Sequence, residues 1–390
     1  MCGRTACACE PEAVARACTY RSKRTGKPRQ PRWVNGKKKG DVGRAAGRAR
    51  YYPSFNVGPS TYMPVLISGD HPHCRTPAAS TSSTAAAATA ATTTTSSTGA
   101  TESQPDVLAS CRGERVLQTM RWGLVPSWHK GDPDKFGTML NNSRLEGIQE
   151  KASFRNALKR GQRCVIVCEG FYEWKTSGKT KQPYFMTFSS SEAGVSDDDI
   201  AAAQEAAVAL DAAEASQSED GQSEDLRASG DVDRARFAER KPSRLLTMAG
   251  LFDVWHPPVG SEHEASGPIY TYSIVTVPAS KPIDWLHHRM PAILDGDEAI
   301  EKWLNFSSVN LEQALGLIHP TSVLKWHPVT QSMGNIRYKN ADSIDPIDLN
   351  AKKPVKATGL TSWLKVSPAK RKAEETKSED EPSAKKPVEE

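Results

Sequence analysis

Apolar positions along this chain come in short runs with polar breaks, not in long helical stripes. The β-branched run at 163–167 predicts a buried strand, as do residues 63–67. Residues 115–125 read as a strand leading into Trp122-Gly-Leu-Val-Pro-Ser-Trp128. Further strands are predicted at 183–188, 245–255 and 269–277, the last from the alternation of Tyr270, Tyr272 and Ile274. Helical spacing is rarer. Residues 5–18 predict a short helix with Ala13, Val14 and Ala17 on one side, and 153–160 a second, stopped by Gly161. Asp297 reads as the cap of a helix with Ile300, Trp303 and Leu304 on one face. Asn310 reads as the cap of another, carrying Leu311, Ala314, Leu315 and Ile318. The balance predicts a strand-rich α+β fold.

Three stretches interrupt the pattern. Residues 76–103 are almost entirely Ala, Thr and Ser without caps or periodicity, and are expected to be a disordered insertion. Residues 189–241 are acidic and Ala-rich, with Asp197-Asp198-Asp199, and are expected to be a second. Residues 21–50 are basic and rich in Gly and Pro. They read as a solvated loop, with nucleic-acid contact as the sharper alternative. Apolar segments lie on both sides of each insertion, so one interrupted domain over 2–349 is expected, followed by a disordered charged tail at 350–390. In the tail, Lys370-Arg371-Lys372 and Lys385-Lys386 have the clustering of a bipartite nuclear import signal. The apolar island around Trp363 and Leu364 is a candidate dock for a replication-fork partner.

Composition narrows the class. Only 37% of the 390 residues are apolar, low for a wholly folded chain of this length. The net charge of +5 is compatible with a nucleic-acid partner without requiring one. The eight cysteines include no Cys-x-x-Cys pair, so neither structural zinc nor another metal or cofactor is expected. No secretory or transmembrane-length apolar run occurs, which predicts an intracellular protein with reduced thiols and no membrane role.

The chemistry centres on Met1-Cys2-Gly3-Arg4. Removal of Met1 would leave Cys2 with an α-amine and a thiol on adjacent carbons. Such an amine condenses with an aldehyde to an imine, and the thiol then closes a five-membered thiazolidine. Both groups have usable deprotonated fractions near neutral pH. Ring closure is intramolecular, with effective molarities of roughly 10⁵–10⁸ M for well-oriented cases.

Other blocks add candidates. Asn142 and Arg144 pair an amide that can orient a sugar or carbonyl with a guanidinium that can clamp a phosphate. Glu173, between Tyr172 and Trp174, suits general acid–base work, or is a surface residue on an edge strand. His287 and His288 precede Arg289, and either imidazole could be the proton shuttle. Trp122, Trp128 and Trp174 are core residues or stacking platforms for bases of a single strand.

Taken in order, Met-Cys-Gly-Arg, Trp122-Gly-Leu-Val-Pro-Ser-Trp128, Asn142-x-Arg144, Gly170-Phe-Tyr-Glu-Trp174 and His287-x-Arg-Met-Pro291 resemble the SOS-response-associated peptidase (SRAP) family. The resemblance runs from Cys2 to about residue 349 and implies a barrel-like core flanked by short helices. It implies an abasic-site sensor that becomes covalently joined to single-stranded DNA through Cys2, with autocatalytic removal of Met1 and lyase-like activity. On that pattern Cys2 is the nucleophile, and Glu173 and His287 move protons. Asn142 positions Cys2 and the sugar. Arg4, Arg144 and Arg289 hold phosphates, Trp128 and Trp174 pack against DNA, and Asn56 lies near the terminus as a further DNA-binding candidate. The resemblance also implies a monomer acting in the nucleus. Two alternatives stay open: a cysteine peptidase acting on other proteins, and a non-catalytic reader of modified cytosine such as 5-hydroxymethylcytosine.

Overall fold

The computed structural model describes residues 3–34, 50–72, 113–137, 140–189, 244–264 and 267–349. Cys2, the expected insertion at 76–103, nearly all of that at 189–241, the lysine triplet of the basic loop and the tail beyond 349 lie outside them. The residues up to Ile347 make one unit.

The elements run β1 (Thr5–Cys7), α1 (Pro11–Ala17), β2 (Tyr20–Arg21), β3 (Pro28–Arg29), β4 (Arg32–Trp33), β5 (Ser54–Val57), β6 (Tyr62–Ser68), β7 (Arg115–Trp122), α2 (Pro133–Gly137) and β8 (Asn142–Arg144). There follow α3 (Ala152–Lys159), β9 (Arg163–Cys168), β10 (Gly170–Ser177), β11 (Thr180–Phe188), β12 (Leu246–Trp255), β13 (Ile269–Pro278), β14 (Arg289–Pro291), α4 (Asp297–Leu304), α5 (Leu311–Gly316) and β15 (Leu324–Pro328).

Five strands close on themselves. β7, β6, β9, β12 and β13 pair antiparallel in that order, and β13 returns to β7 in parallel through Thr271↔Arg121 and Tyr272↔Trp122. Closure removes the open sheet edge within this ring. Val65, Leu117, Ile166, Met248 and Phe252 are buried in the main core. Trp122 is fully buried and stacks on Tyr272, so it is a core residue and not a DNA platform. α4 packs on β9, where Trp303 Nε1–H donates to Cys164 O at 2.8 Å. The segment 73–112 leaves and re-enters at neighbouring points of the β6–β7 hairpin, since Ser68 pairs with Arg115 and Gly113 N–H reaches Asp70 Oδ1. An insertion there need not disturb the barrel.

A second sheet has the order β15-β11-β10-β1-β5. Its separate core includes Ala6, Phe55, Tyr172, Phe185 and Met333. Gly170 begins β10 because a Cβ there would lie 2.4 Å from Met186 O and from the Phe185 ring.

Three expectations are corrected. The described part of the basic stretch, residues 21–34, is not a solvated loop: β2 pairs with β3, β4 pairs with β7, and Ser22 is buried. Residues 5–7 are strand, and the helix is confined to Pro11–Ala17. Thr5 faces Phe171 on one side and Val57 on the other, so its backbone hydrogen bonds are met by sheet partners. Asp297 is the first helical residue, with Gly296 at the cap in a positive-φ conformation. The Asp297 carboxylate instead accepts from Arg115 Nη1 at 2.7 Å. Asn310 does cap its helix, in a reciprocal box with Gln313.

Candidate active site

The start of the chain is threaded into the middle of the second sheet. Tyr172 N–H donates to Arg4 O at 3.0 Å and Glu169 N–H to Ala6 O at 2.8 Å. The Glu169 carboxylate accepts from Ala8 N–H at 2.6 Å. Cys2 lies outside the described residues, but the chain is fixed beside β10 from Arg4 onward, one residue from Glu173.

Glu173 is buried, on an interior strand, and so is not the exposed edge residue that its sequence also allowed. Strand alternation places Tyr172 and Trp174 on the opposite face from it. Its cross-strand neighbour is Tyr184. The aromatics beside it in sequence are therefore not those that share its face. Trp174 is half-buried and packs against the second core, on the face opposite Glu173.

His287 comes from the turn before β14. Its Nδ1 lies 3.0 Å from Arg289 N, which donates to it, leaving Nε2 to carry the proton of the neutral ring. Burial lowers the His287 pKa below the usual imidazole value, while the Glu173 carboxylate pulls the other way. The two side chains are thus electrostatically joined across two sheets. His288 is exposed and stacks on His287 with ring centroids 4.4 Å apart.

Asn142 and Arg144 lie on β8, which runs parallel to β13 in the register Asn142↔Ile274 and Arg144↔Thr276. β14 flanks the other edge of β13, with Thr276↔Pro291. Arg144, Glu146, Lys151, Phe154 and Arg289 line a cleft of about 400 Å³. Arg144 is exposed. Arg289 is not: its guanidinium makes a two-pronged pair with Glu146 at 2.6 and 3.0 Å and donates to Thr276 O at 2.7 Å. That pairing holds the Glu146 carboxyl below the usual carboxylate range. A phosphate reaching Arg289 would exchange with the exposed Glu146 carboxylate.

The direct DNA contact expected at Asn56 is corrected. The residue is 1% exposed, and its Nδ2 lies 2.9, 3.0 and 2.9 Å from the carbonyl oxygens of Met333, Asn335 and Tyr338. Its Oδ1 accepts from Arg4 Nη1 at 2.7 Å. This amide ties the terminal strand to the 333–338 loop and has no face left for DNA. Arg4 shares the task, half-buried over the carbonyls of Met333 and Gly334.

Trp128 is exposed, with half its surface open. Its loop is nailed to the barrel by Gly123 N–H to Tyr272 O and by Val125 N–H to Thr271 Oγ1, both at 2.9 Å. Ser127 N–H adds a bond to Asp253 Oδ2 at 2.9 Å. Asp253 is buried and also accepts from Arg160 at 2.8 Å and Gln162 at 3.2 Å. Neither Asp253 nor Glu146 was picked out from sequence. The signals were a lone carboxylate inside the apolar run Leu251-Phe-Asp-Val-Trp255, and a Glu two residues beyond Arg144.

A model of the SOS response associated peptidase (SRAP) family matches residues 1–336. This chain belongs to the SRAP family. Among its relatives, the abasic site processing protein HMCES of Gallus gallus is 37% identical, covering 94% of this chain and 85% of that one. The protein of the same name from Xenopus tropicalis is 36% identical, covering 90% and 80%. A solved structure from Bacteroides thetaiotaomicron shares the SRAP chain's fold, with a TM-score of 0.51 and 18% identity over 89% of this chain and 100% of that one.

Proposed function

We propose that this SRAP protein processes abasic sites in single-stranded DNA by forming a thiazolidine crosslink through Cys2. What supports the reading is the threading of the chain's start along β10, which brings residues 3–4 beside the buried Glu173 and its electrostatic partner His287. The names of the HMCES relatives supply the substrate class.

After loss of Met1, by self-cleavage through the same thiol, the Cys2 α-amine attacks C1′ of the ring-opened sugar. Water leaves and an imine forms. The Cys2 thiol then adds to the imine carbon, and its proton passes to nitrogen. Glu173 moves the proton during sugar opening and dehydration. His287 assists the ring-opened intermediate and the reverse reaction, in which a departing thiolate must be protonated. Asn142 positions Cys2 and the sugar. Arg144 contacts phosphate and Trp128 stacks on a base.

The test is dependence on both Cys2 groups. Cys2→Ala lacks the thiol that would release Met1; with Met1 removed enzymatically beforehand it keeps the α-amine at position 2, so borohydride should trap a reducible imine while no heat-stable adduct forms. Acetylating the amine should abolish both. A cysteine peptidase would keep thiol chemistry with a blocked amine, and a non-catalytic reader would bind unchanged without Cys2. Stable adducts in Cys2→Ala would overturn the proposal.

A further inference from the structure

Beyond the residues already assigned, a second exposed tryptophan lies beside the same site. Trp285 is 37% exposed and two residues before His287. It is held rigidly. Its Nε1–H donates to Pro282 O at 3.0 Å, and its main-chain oxygen accepts from Lys175 Nζ. Tyr184 meets its ring edge-to-face at 5.1 Å, and Trp326 packs at 6.4 Å. Lys175 Nζ lies 5.4 Å from the ring centroid.

The register puts this cluster on the face that carries Glu173. Tyr184 is directly opposite Glu173, Lys175 is two residues along the same strand, and Trp326 pairs with Met186, two residues beyond Tyr184. An aromatic surface and a cation are therefore continuous with the Glu173–His287 pair. A ring braced on two sides loses little freedom when something stacks on it. A neighbouring ammonium suits a phosphodiester better than an apolar protein surface.

We propose that Trp285, braced by Tyr184 and Trp326 and accompanied by Lys175, is a stacking platform for a base flanking the abasic nucleotide in the same strand. This rests on the single-stranded DNA reading above. It adds a subsite distinct from Trp128, which sits on the loop after β7.

The experiment is a cycle between protein and strand. The protein is wild type, Trp285→Ala, Trp285→Phe or Lys175→Ala. The strands carry one abasic site and either a full complement of bases or a base-free tetrahydrofuran spacer immediately 5′ or 3′ of it. Affinity and crosslinking rate are measured for each pair. For one of the two flanks, removing the base should weaken wild-type binding about tenfold, the size of one stack. Trp285→Ala should lose the same factor on the complete strand and become insensitive to that spacer. Trp285→Phe should restore part of the discrimination, and Lys175→Ala should lower the salt dependence while keeping it. Wild type that crosslinks normally but discriminates at neither flank overturns the platform alone. So does Trp285→Ala that still discriminates fully, or that weakens equally on both strands. Wild type that forms no adduct with any strand overturns the underlying abasic-site reading instead.

Discussion

At the scale of single residues, the account rests on a carboxylate and an imidazole that different parts of the chain bring together. Glu173→Gln keeps the shape and removes the proton acceptor, so crosslink formation should slow by roughly 10²–10⁴-fold, the usual weight of general acid–base catalysis. Single-turnover adduct formation measures this, and an unchanged rate would remove Glu173 from the mechanism. His287 has its own signature. Its folded pKa is lowered, so the unfolded chain binds more protons once the pH falls below the ordinary imidazole value near 6.5. Its contribution to stability is present above that value and is lost as the pH falls toward the folded pKa. Thermal melting of His287→Gln should accordingly lose less stability between pH 7 and 5 than wild type does. An identical acid dependence, or an equal change in exposed His288→Ala, would contradict the assignment. The two arginines of the cleft should also part company. Arg144→Ala should lower the salt slope of DNA affinity by somewhat under one unit. Arg289→Ala should chiefly lower the melting temperature, because it leaves the buried Thr276 O without its donor.

At the scale of elements, the strands of the barrel were legible wherever β-branched runs or period-two alternation recorded burial, as in β9 and β13. β1 was not. Thr-Ala-Cys is short, has no alternation, and becomes a strand only because two non-local edges accept it. The same holds for the surroundings of Glu173. Sequence adjacency put aromatics beside it, but only the register says which neighbours share its face. Helix caps were half legible: the reciprocal box at Asn310 is local, whereas Asp297 is drawn off its cap by distant Arg115. The Trp128 loop offers a prediction at this scale. Asp253→Asn removes the charge that holds Ser127 N–H and Arg160. Single-strand affinity should fall several-fold, while the crosslinking rate at saturating DNA stays near wild type. Equal losses in both, with an unaltered melting curve, would show that Asp253 acts on chemistry and not on the loop.

At the scale of the whole molecule, a closed five-stranded barrel and a five-stranded sheet meet where β9 runs directly into β10, and the site lies across that seam. The barrel supplies Asn142, Arg144 and His287 through β8 and β14, which flank β13. The sheet supplies Glu173 and the threaded start of the chain. The parallel return of β13 to β7 that closes the ring left no mark in the sequence, because it joins residues far apart in the chain without a local turn. Cys2 was singled out by its position together with the motif blocks that follow it, and its role remains the central proposal. Intact-mass spectrometry of the full chain after incubation with an abasic single-stranded oligonucleotide tests it most directly. The account predicts a species equal to the chain beginning at Cys2 plus the oligonucleotide less one water, with the linkage mapping to the first residue. An adduct on a chain that retains Met1, or one that maps to any other residue, would contradict it.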